Sequence, residues 1–273
     1  MLVTVNGLVA RSYPTGDHDR VLHILTEEYG RVSVMVKGRS TTGKNAVGGI
    51  IQPYTYGNYE LYRGQSGDLY WLRGGSATRH FFDVTGDIAR VSLGAYLCDL
   101  AAEMTDEGNT TPESATLLRM LLNTLHVLAK GECSCDKVKA VFEFRAAALM
   151  GYQPDLTGCS RCGEPYPASG YFDIMNGRLL CADCQSELNG IRGRITAIEE
   201  QERGERRLLC PFTASTLAAL RYTLTSPDRK IFSFILHDPA EERAFATLAE
   251  TYLLNQLERD FETLKFYRSV AEP

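Results

Sequence analysis

With 273 residues, 44% of them hydrophobic and 23% charged, the chain is long enough for two compact units and a small appendage. A net charge of −5 excludes a protein that is basic over its whole surface, and no apolar run reaches the roughly eighteen residues of a membrane-spanning helix. The charge is uneven, however: residues 1 to 80 hold nine Lys/Arg against six Asp/Glu, a net +3, while residues 81 to 273 hold twenty against twenty-eight, a net −8. A nucleic-acid surface therefore belongs on the first segment, because phosphate affinity needs cations gathered on one face.

That segment predicts strands. Leu2 to Ala10, Arg20 to Leu25 and Arg31 to Val36 are short β-branched runs, and Val32, Val34 and Val36 alternate as a half-buried strand requires. Gly16 makes a turn with Asp17, His18 and Asp19 as a loop, and Glu27 to Gly30 supplies the next turn. Ile50 to Tyr56, Asn58 to Arg63 and Asp68 to Arg73 continue the pattern, with Gly64-Gln65-Ser66-Gly67 as a hairpin loop. Five or six such strands, closed on themselves, suggest a small barrel such as the OB fold. Tyr54, Tyr56, Tyr59, Tyr62, Tyr70 and Trp71 concentrate in its later strands, where alternation sends about half of the rings into the core and leaves the rest to stack on unpaired bases.

Between these strands, Gly38-Arg39-Ser40-Thr41-Thr42-Gly43-Lys44 has the glycine and lysine spacing of a nucleotide-binding loop. Its eighth position is Asn45 rather than the Ser or Thr that holds Mg²⁺, and Gly48, Gly49 and Pro53 leave no room for the helix that should follow. Ile231 to Asp238 is the nearest match to the acidic strand such an enzyme needs. A basic loop that follows a phosphate backbone suits Lys37, Arg39 and Lys44 better. Arg11, Arg20, Arg31, Arg63, Arg73 and Arg79 are further DNA-contact candidates by charge and location.

Helical spacing begins near residue 83 with Val91, Ala95, Cys98, Ala101 and Ala102. Thr111-Pro112-Glu113 opens a second helix with a capping hydroxyl, a first-turn proline and an acid, and Leu117, Leu118, Leu121, Leu122, Leu125 and Leu128 form its stripe. A third helix spans about Asp136 to Met150 and ends at Gly151 and Pro154. Asp238-Pro239 opens one long amphipathic segment whose apolar edge runs from Phe245 through Leu257 to Phe261 and Leu264. The charged run Ile195 to Arg207 reads as a linker or a solvated helix.

The strongest chemical signal is Cys159-x2-Cys162 with Cys181-x2-Cys184, two chelating knuckles that together suit one tetrahedral zinc ion. Gly163 can take the left-handed conformation that folds a knuckle's amides toward sulfur. Asn176-Gly177 predicts a two-residue type I′ turn between Tyr171 to Met175 and Arg178 to Leu180, so the motif reads as a zinc ribbon. A site closed by four protein ligands is structural rather than catalytic. The opening residues have neither a basic n-region nor a long apolar core, so the thiols are expected in a reducing, cytoplasmic compartment. Cys98, Cys133, Cys135 and Cys210 lack ligand spacing, and none of His18, His23, His80, His126 and His237 sits in a deaminase arrangement.

Gly7-Leu8-Val9, Gly16-Asp17-His18-Asp19, Thr26 to Gly30, Val36-Lys37-Gly38-Arg39, Gln52-Pro53-Tyr54, Gly151 to Leu156 and Cys159 to Gly163 together resemble the RecO family of recombination mediators over the length of the chain. The family commonly has glutamate where Asp17 stands. The resemblance implies an α+β, multidomain protein: an OB-fold DNA-binding barrel over 1–80, a helical domain over 81–158 and 189–273, and a zinc-ribbon insertion over 159–188. It implies a non-enzymatic protein that binds single- and double-stranded DNA, anneals complementary strands, and with RecR helps load RecA onto DNA coated by single-strand-binding protein (SSB). Lys37, Gly38 and Arg39 match the family's Lys-Gly-Arg motif. The helical part is implied to receive the acidic SSB tail, with Lys137, Lys139, Arg145, Arg221, Arg229 and Lys230 as cations on offer. A protein-only adaptor and a nucleotide hydrolase using Gly38 to Lys44 are the alternatives, and the expected location is the cytoplasm, at the nucleoid.

Overall fold

The computed structural model describes residues 1–38, 48–64, 69–81, 86–192 and 208–271, with 189–192 described by backbone alone. The charged run from 195 to 207, and all of the glycine-lysine loop beyond Gly38, lie outside the described residues. Two compact units separate: Met1–Cys135 together with the segment from Phe261 onward, and Asp136–Asp260.

The first unit is built on five strands, β1 (Leu2–Thr15), β2 (Asp19–Thr26), β3 (Gly30–Val36), β4 (Thr55–Arg63) and β5 (Tyr70–His80). They close in the order β1-β2-β3-β5-β4, so the sheet has no free first or last strand. All neighbours are antiparallel except β3 and β5, which run parallel over Val34 opposite Tyr70 and Met35 opposite Trp71. Val32, Val34 and Val36 point inward as expected and meet Leu22, Ile24, Tyr59 and Leu61 in the barrel core.

Two strand expectations need correction. Ile50 to Tyr56 is not a strand of its own: residues 48–54 form turns, and the ladder starts at Thr55. The β-branched residues there mislead because Ile51 joins the barrel core from a turn rather than from a ladder. β1 and β5 also run further than expected, to Thr15 and His80, because long partners continue to pair with them.

Helix α1 (Ile88–Glu103) is buried on several sides, with Leu93, Tyr96, Leu97, Leu100 and Ala101 all inaccessible, so it occupies the centre of this unit rather than its surface. Helix α2 (Pro112–Lys130) starts as the sequence specifies. Thr111 accepts from the Ser114 amide while the Ser114 hydroxyl accepts from the Thr111 amide, and Gly131 ends the helix at φ 68°.

The second unit takes α3 (Cys135–Leu149) and a four-stranded sheet of β6 (Asp155–Cys159), β7 (Ser169–Asp173), β8 (Arg178–Cys181) and β9 (Leu209–Thr213), in the order β6-β8-β7-β9. It also holds α4 (Ala182–Arg192), α5 (Ala214–Thr225) and α6 (Pro239–Leu257). Phe144 of α3 stacks on Phe245 of α6 with ring centroids 5.5 Å apart, and Phe172 of β7 meets Tyr252 edge-on at 5.2 Å. The long segment expected through Leu264 is two helices. Glu258 turns left-handed at φ 49°, and α7 (Glu262–Ala271) belongs to the first unit, where Phe261 packs edge-on against Tyr96. Apolar spacing alone carries no mark of that break. Ile231 to Asp238 forms no strand.

Candidate functional site

The four knuckle cysteines converge, with their sulfur atoms all within 4.8 Å of one another. Cys159 ends β6, Cys162 follows in an exposed loop, Cys181 ends β8, and Cys184 sits in the first turn of α4. Gly163 takes φ 79°, which brings its amide onto the Cys159 carbonyl at 2.9 Å and closes the first knuckle. The Cys181 amide donates to the Cys159 sulfur at 3.3 Å and the Cys184 amide to the Cys181 sulfur at 3.4 Å. Burial opposes the Cys159 thiolate, yet the amides of Cys162, Cys181 and Arg161 outweigh it and bring its pKa down to about 6. Burial and hydrogen bonds from neighbouring thiols push Cys184 upward.

Tetrahedral zinc with bonds of about 2.3 Å separates its sulfurs by about 3.8 Å, and the Cys162 and Cys181 sulfurs are 3.8 Å apart. The donor set therefore fits one thiolate-loving metal ion. The turn joining β7 to β8 differs from the two-residue form expected. Asp173 pairs with Arg178 across a four-residue loop in which Gly177 is left-handed, at φ 61°, and Asn176 is not. The Asp173 carboxylate explains the longer loop, since it accepts from the Asn176 amide at 3.2 Å and from its side chain at 2.9 Å.

On the barrel, strand register assembles a row that crosses every strand. Tyr13 lies opposite Val21, Val21 opposite Met35, Met35 opposite Trp71, and Trp71 opposite Tyr62. Their neighbours Leu22, Val34, Leu72 and Leu61 are buried, so alternation turns this row outward. Cations lie on it: Lys37 Nζ is 5.1 Å from the Trp71 ring centroid, and the Arg73 guanidinium is 5.1 Å from that of Tyr62. Asp19 fixes Lys37 in place, taking its ammonium at 2.6 Å and the Gly38 amide at 2.9 Å. Those hydrogen bonds, led by the one from Lys37, hold the Asp19 carboxyl below its usual range. Gly38 is required there, because a Cβ would come within 2.3 Å of the His18 Cβ and 2.7 Å of its carbonyl oxygen.

The other expected contacts are dispersed. Arg63 stands over Tyr70 at 5.6 Å, one residue from the row. Arg20 donates to the Ser12 hydroxyl at 2.8 Å, across the hairpin of β1 and β2. Arg11 pairs with Asp99 of α1, and Arg31 donates to the Ala102 carbonyl at the end of α1, 3.1 Å away, so both fasten the barrel to that helix. Arg79 leans on His126 of α2 and on the Phe81 ring. Arg39 and Lys44 lie outside the described residues. Tyr54, Tyr59 and Tyr70 are buried; Tyr54 and Tyr59 donate to the Val91 and Ile50 carbonyls at 2.9 and 3.0 Å. Tyr13, Met35 and the Asp19 clamp escape sequence reasoning, because their roles depend on cross-strand register.

Of the cations offered in the second unit, Lys139 is buried against Glu143 at 3.1 Å and Glu250 at 2.7 Å. Lys137 donates to the Phe234 carbonyl, Arg145 pairs with Asp228, and Arg221 donates to the Leu156 carbonyl. Arg229 and Lys230 are exposed on a single 3₁₀ turn. No helix among the described residues is long and apolar enough to cross a membrane.

The family model described as recombination protein O N terminal matches residues 1–81, and that described as recombination protein O C terminal matches residues 85–265. A DNA repair protein RecO of Alkaliphilus metalliredigens is 32% identical over 184 residues, 67% of this chain and 72% of that protein. Another, of Acetivibrio thermocellus, is 24% identical over 97% of this chain and 96% of its own length. A third, of Anaeromyxobacter sp. (strain K), is 32% identical over 67% of this chain and 70% of its own.

Proposed function

The chain belongs to the RecO family of DNA repair proteins, and from that membership we propose that it is a non-enzymatic mediator which grips single-stranded DNA on its barrel. The observation that carries this reading is the outward row of Tyr13, Trp71 and Tyr62 with Lys37 and Arg73 laid on it. Exposed rings offer stacking to any base, and the cations replace the counterions of the backbone. The strand order and the parallel pairing of β3 with β5 support reading the barrel as an OB fold.

Lys37 is the principal phosphate contact in this proposal, with Arg73 and Arg63 beside it and Arg39 and Lys44 continuing the basic loop. Annealing follows from charge: a face that neutralises two strands lowers their mutual repulsion until base pairing takes over. The protein then acts with RecR to load RecA onto SSB-coated DNA in the cytoplasm, and Arg229 and Lys230 are the cations assigned to the acidic SSB tail. The metal is zinc, one per chain, held by Cys159, Cys162, Cys181 and Cys184, and it stabilises the fold without taking part in DNA contact.

An annealing assay with SSB-coated complementary strands tests the proposal. Annealing without nucleotide or Mg²⁺, slowed in Lys37→Ala, is the expected result. A dependence on nucleotide with release of phosphate would replace the mediator by a hydrolase.

A further inference from the structure

Two cations stand over rings of the outward row, and they differ in what else they hold. Arg73, over Tyr62, pairs with no carboxylate among the described residues, whereas Lys37, over Trp71, gives its ammonium to Asp19 at 2.6 Å. The carboxylate is the fixed member of that pair. Asp19 opens β2 opposite Thr15 of β1, and its second oxygen takes the Gly38 amide at 2.9 Å. These hydrogen bonds, led by the one from Lys37, also keep it ionised by holding its pKa below the usual carboxylate range. Lys37 is the movable member, a four-carbon stem ending in three donors. Its side chain is 46% exposed and that of Asp19 28%, and so exposed an ion pair adds little net stability, which lets a second anion replace the first.

We propose that Asp19 is a built-in competitor for the backbone phosphate: it occupies Lys37 in the free protein, yields the ammonium to a phosphate when a strand binds, and takes it back when the strand leaves. As Lys37 moves to the phosphate it also vacates the Trp71 ring, where a base can then stack. Arg73 needs no such exchange and makes the first contact. The inference rests on the barrel being the strand-binding surface, and it adds regulation to that surface. A mediator that passes strands on must release them, and a carboxylate fixed beside the principal phosphate contact gives Lys37 a partner to return to.

Equilibrium and stopped-flow binding of a labelled oligo(dT) to the full chain test it. Asp19→Asn keeps an oxygen for the Gly38 amide but removes the charge that holds Lys37. It should tighten binding about threefold, on the scale of one exposed ion pair, chiefly through slower dissociation. In a Lys37→Ala background the same change should give no gain, because the competitor acts through Lys37. An equal gain there reduces Asp19 to general repulsion and overturns the proposal, as does unchanged or weaker binding in Asp19→Asn alone. Trp71 is the chain's single tryptophan, so the parent protein supplies a second readout. Oligo(dT) should quench its emission as a base replaces the ammonium, and binding without that change means that Lys37 stays where it is and the exchange does not occur. Failure of the parent to bind oligo(dT) at all overturns the strand-binding reading itself, an outcome distinct from these.

Discussion

His23 shows how a single side chain ties the barrel to pH. It points outward from β2, half-buried, with its ring edge-on to Tyr13 at 5.4 Å. Burial first, then the charges of Arg31 and Arg11, lower its pKa, with Glu107 pulling weakly the other way. The unfolded chain therefore binds more protons than the folded one in the interval between that lowered pKa and about 6.5, so stability is lost as pH falls through it. Urea midpoints measured at about pH 7.5 and about pH 5 should differ less in His23→Gln than in the parent. An identical gap in both proteins would remove His23 from the acid sensitivity. The cysteine ligands sit at the same scale. Loss of the ion on Cys162→Ser should cost binding energy on the order of 10 kcal/mol and unfold at least the four-stranded sheet. Metal analysis of parent and variant, paired with thermal melting, checks it; equal melting and no metal in either would refute the four-sulfur assignment.

At the scale of elements, α3 and α6 share a buried ionic triad as well as stacked rings. Lys139 pairs with Glu143, which has no exposure at all, and with Glu250. Lys139→Met removes the cation that two carboxylates share and should destabilise the second unit by about 3–5 kcal/mol, whereas Glu143→Gln, which keeps a hydrogen-bonding partner for Lys139, should cost less. Chemical denaturation of both variants decides the order, and a milder Lys139→Met would show that water reaches the triad. What the sequence revealed about elements follows the range of the interaction. The Thr111 cap, the Gly16 turn and the cysteine knuckles are set by neighbours a few residues away, and all are legible. The four-residue loop after Asp173 is local too, but it is set by a carboxylate that the Asn-Gly pattern leaves out of account. The Glu258 break and the absence of a strand at Ile50 depend on distant packing, and periodicity cannot see them. The DNA-facing row is half legible for the same reason: Tyr62 and Trp71 stand out as aromatics, but only closure of the barrel sets Tyr13 and Met35 in line with them.

For the whole molecule, the charge split is the physical core of the account: a net +3 over residues 1 to 80 against −8 over the remainder. Structure refines that gradient rather than merely repeating it. Several barrel arginines are committed to α1 or α2, while Lys37 and Arg73 lie over the Trp71 and Tyr62 rings of the outward row. The affinity for DNA should thus come from few contacts and be sensitive to each of them. The measurement that bears most directly on this claim is equilibrium binding of single-stranded DNA by the intact protein across a salt series. Affinity should fall with a logarithmic slope of about −0.7 per neutralised phosphate, and Lys37→Ala and Arg73→Ala should each flatten it by about one such step. Slopes unchanged in both variants, or no binding by the folded protein at low salt, would contradict a barrel that grips DNA through this row.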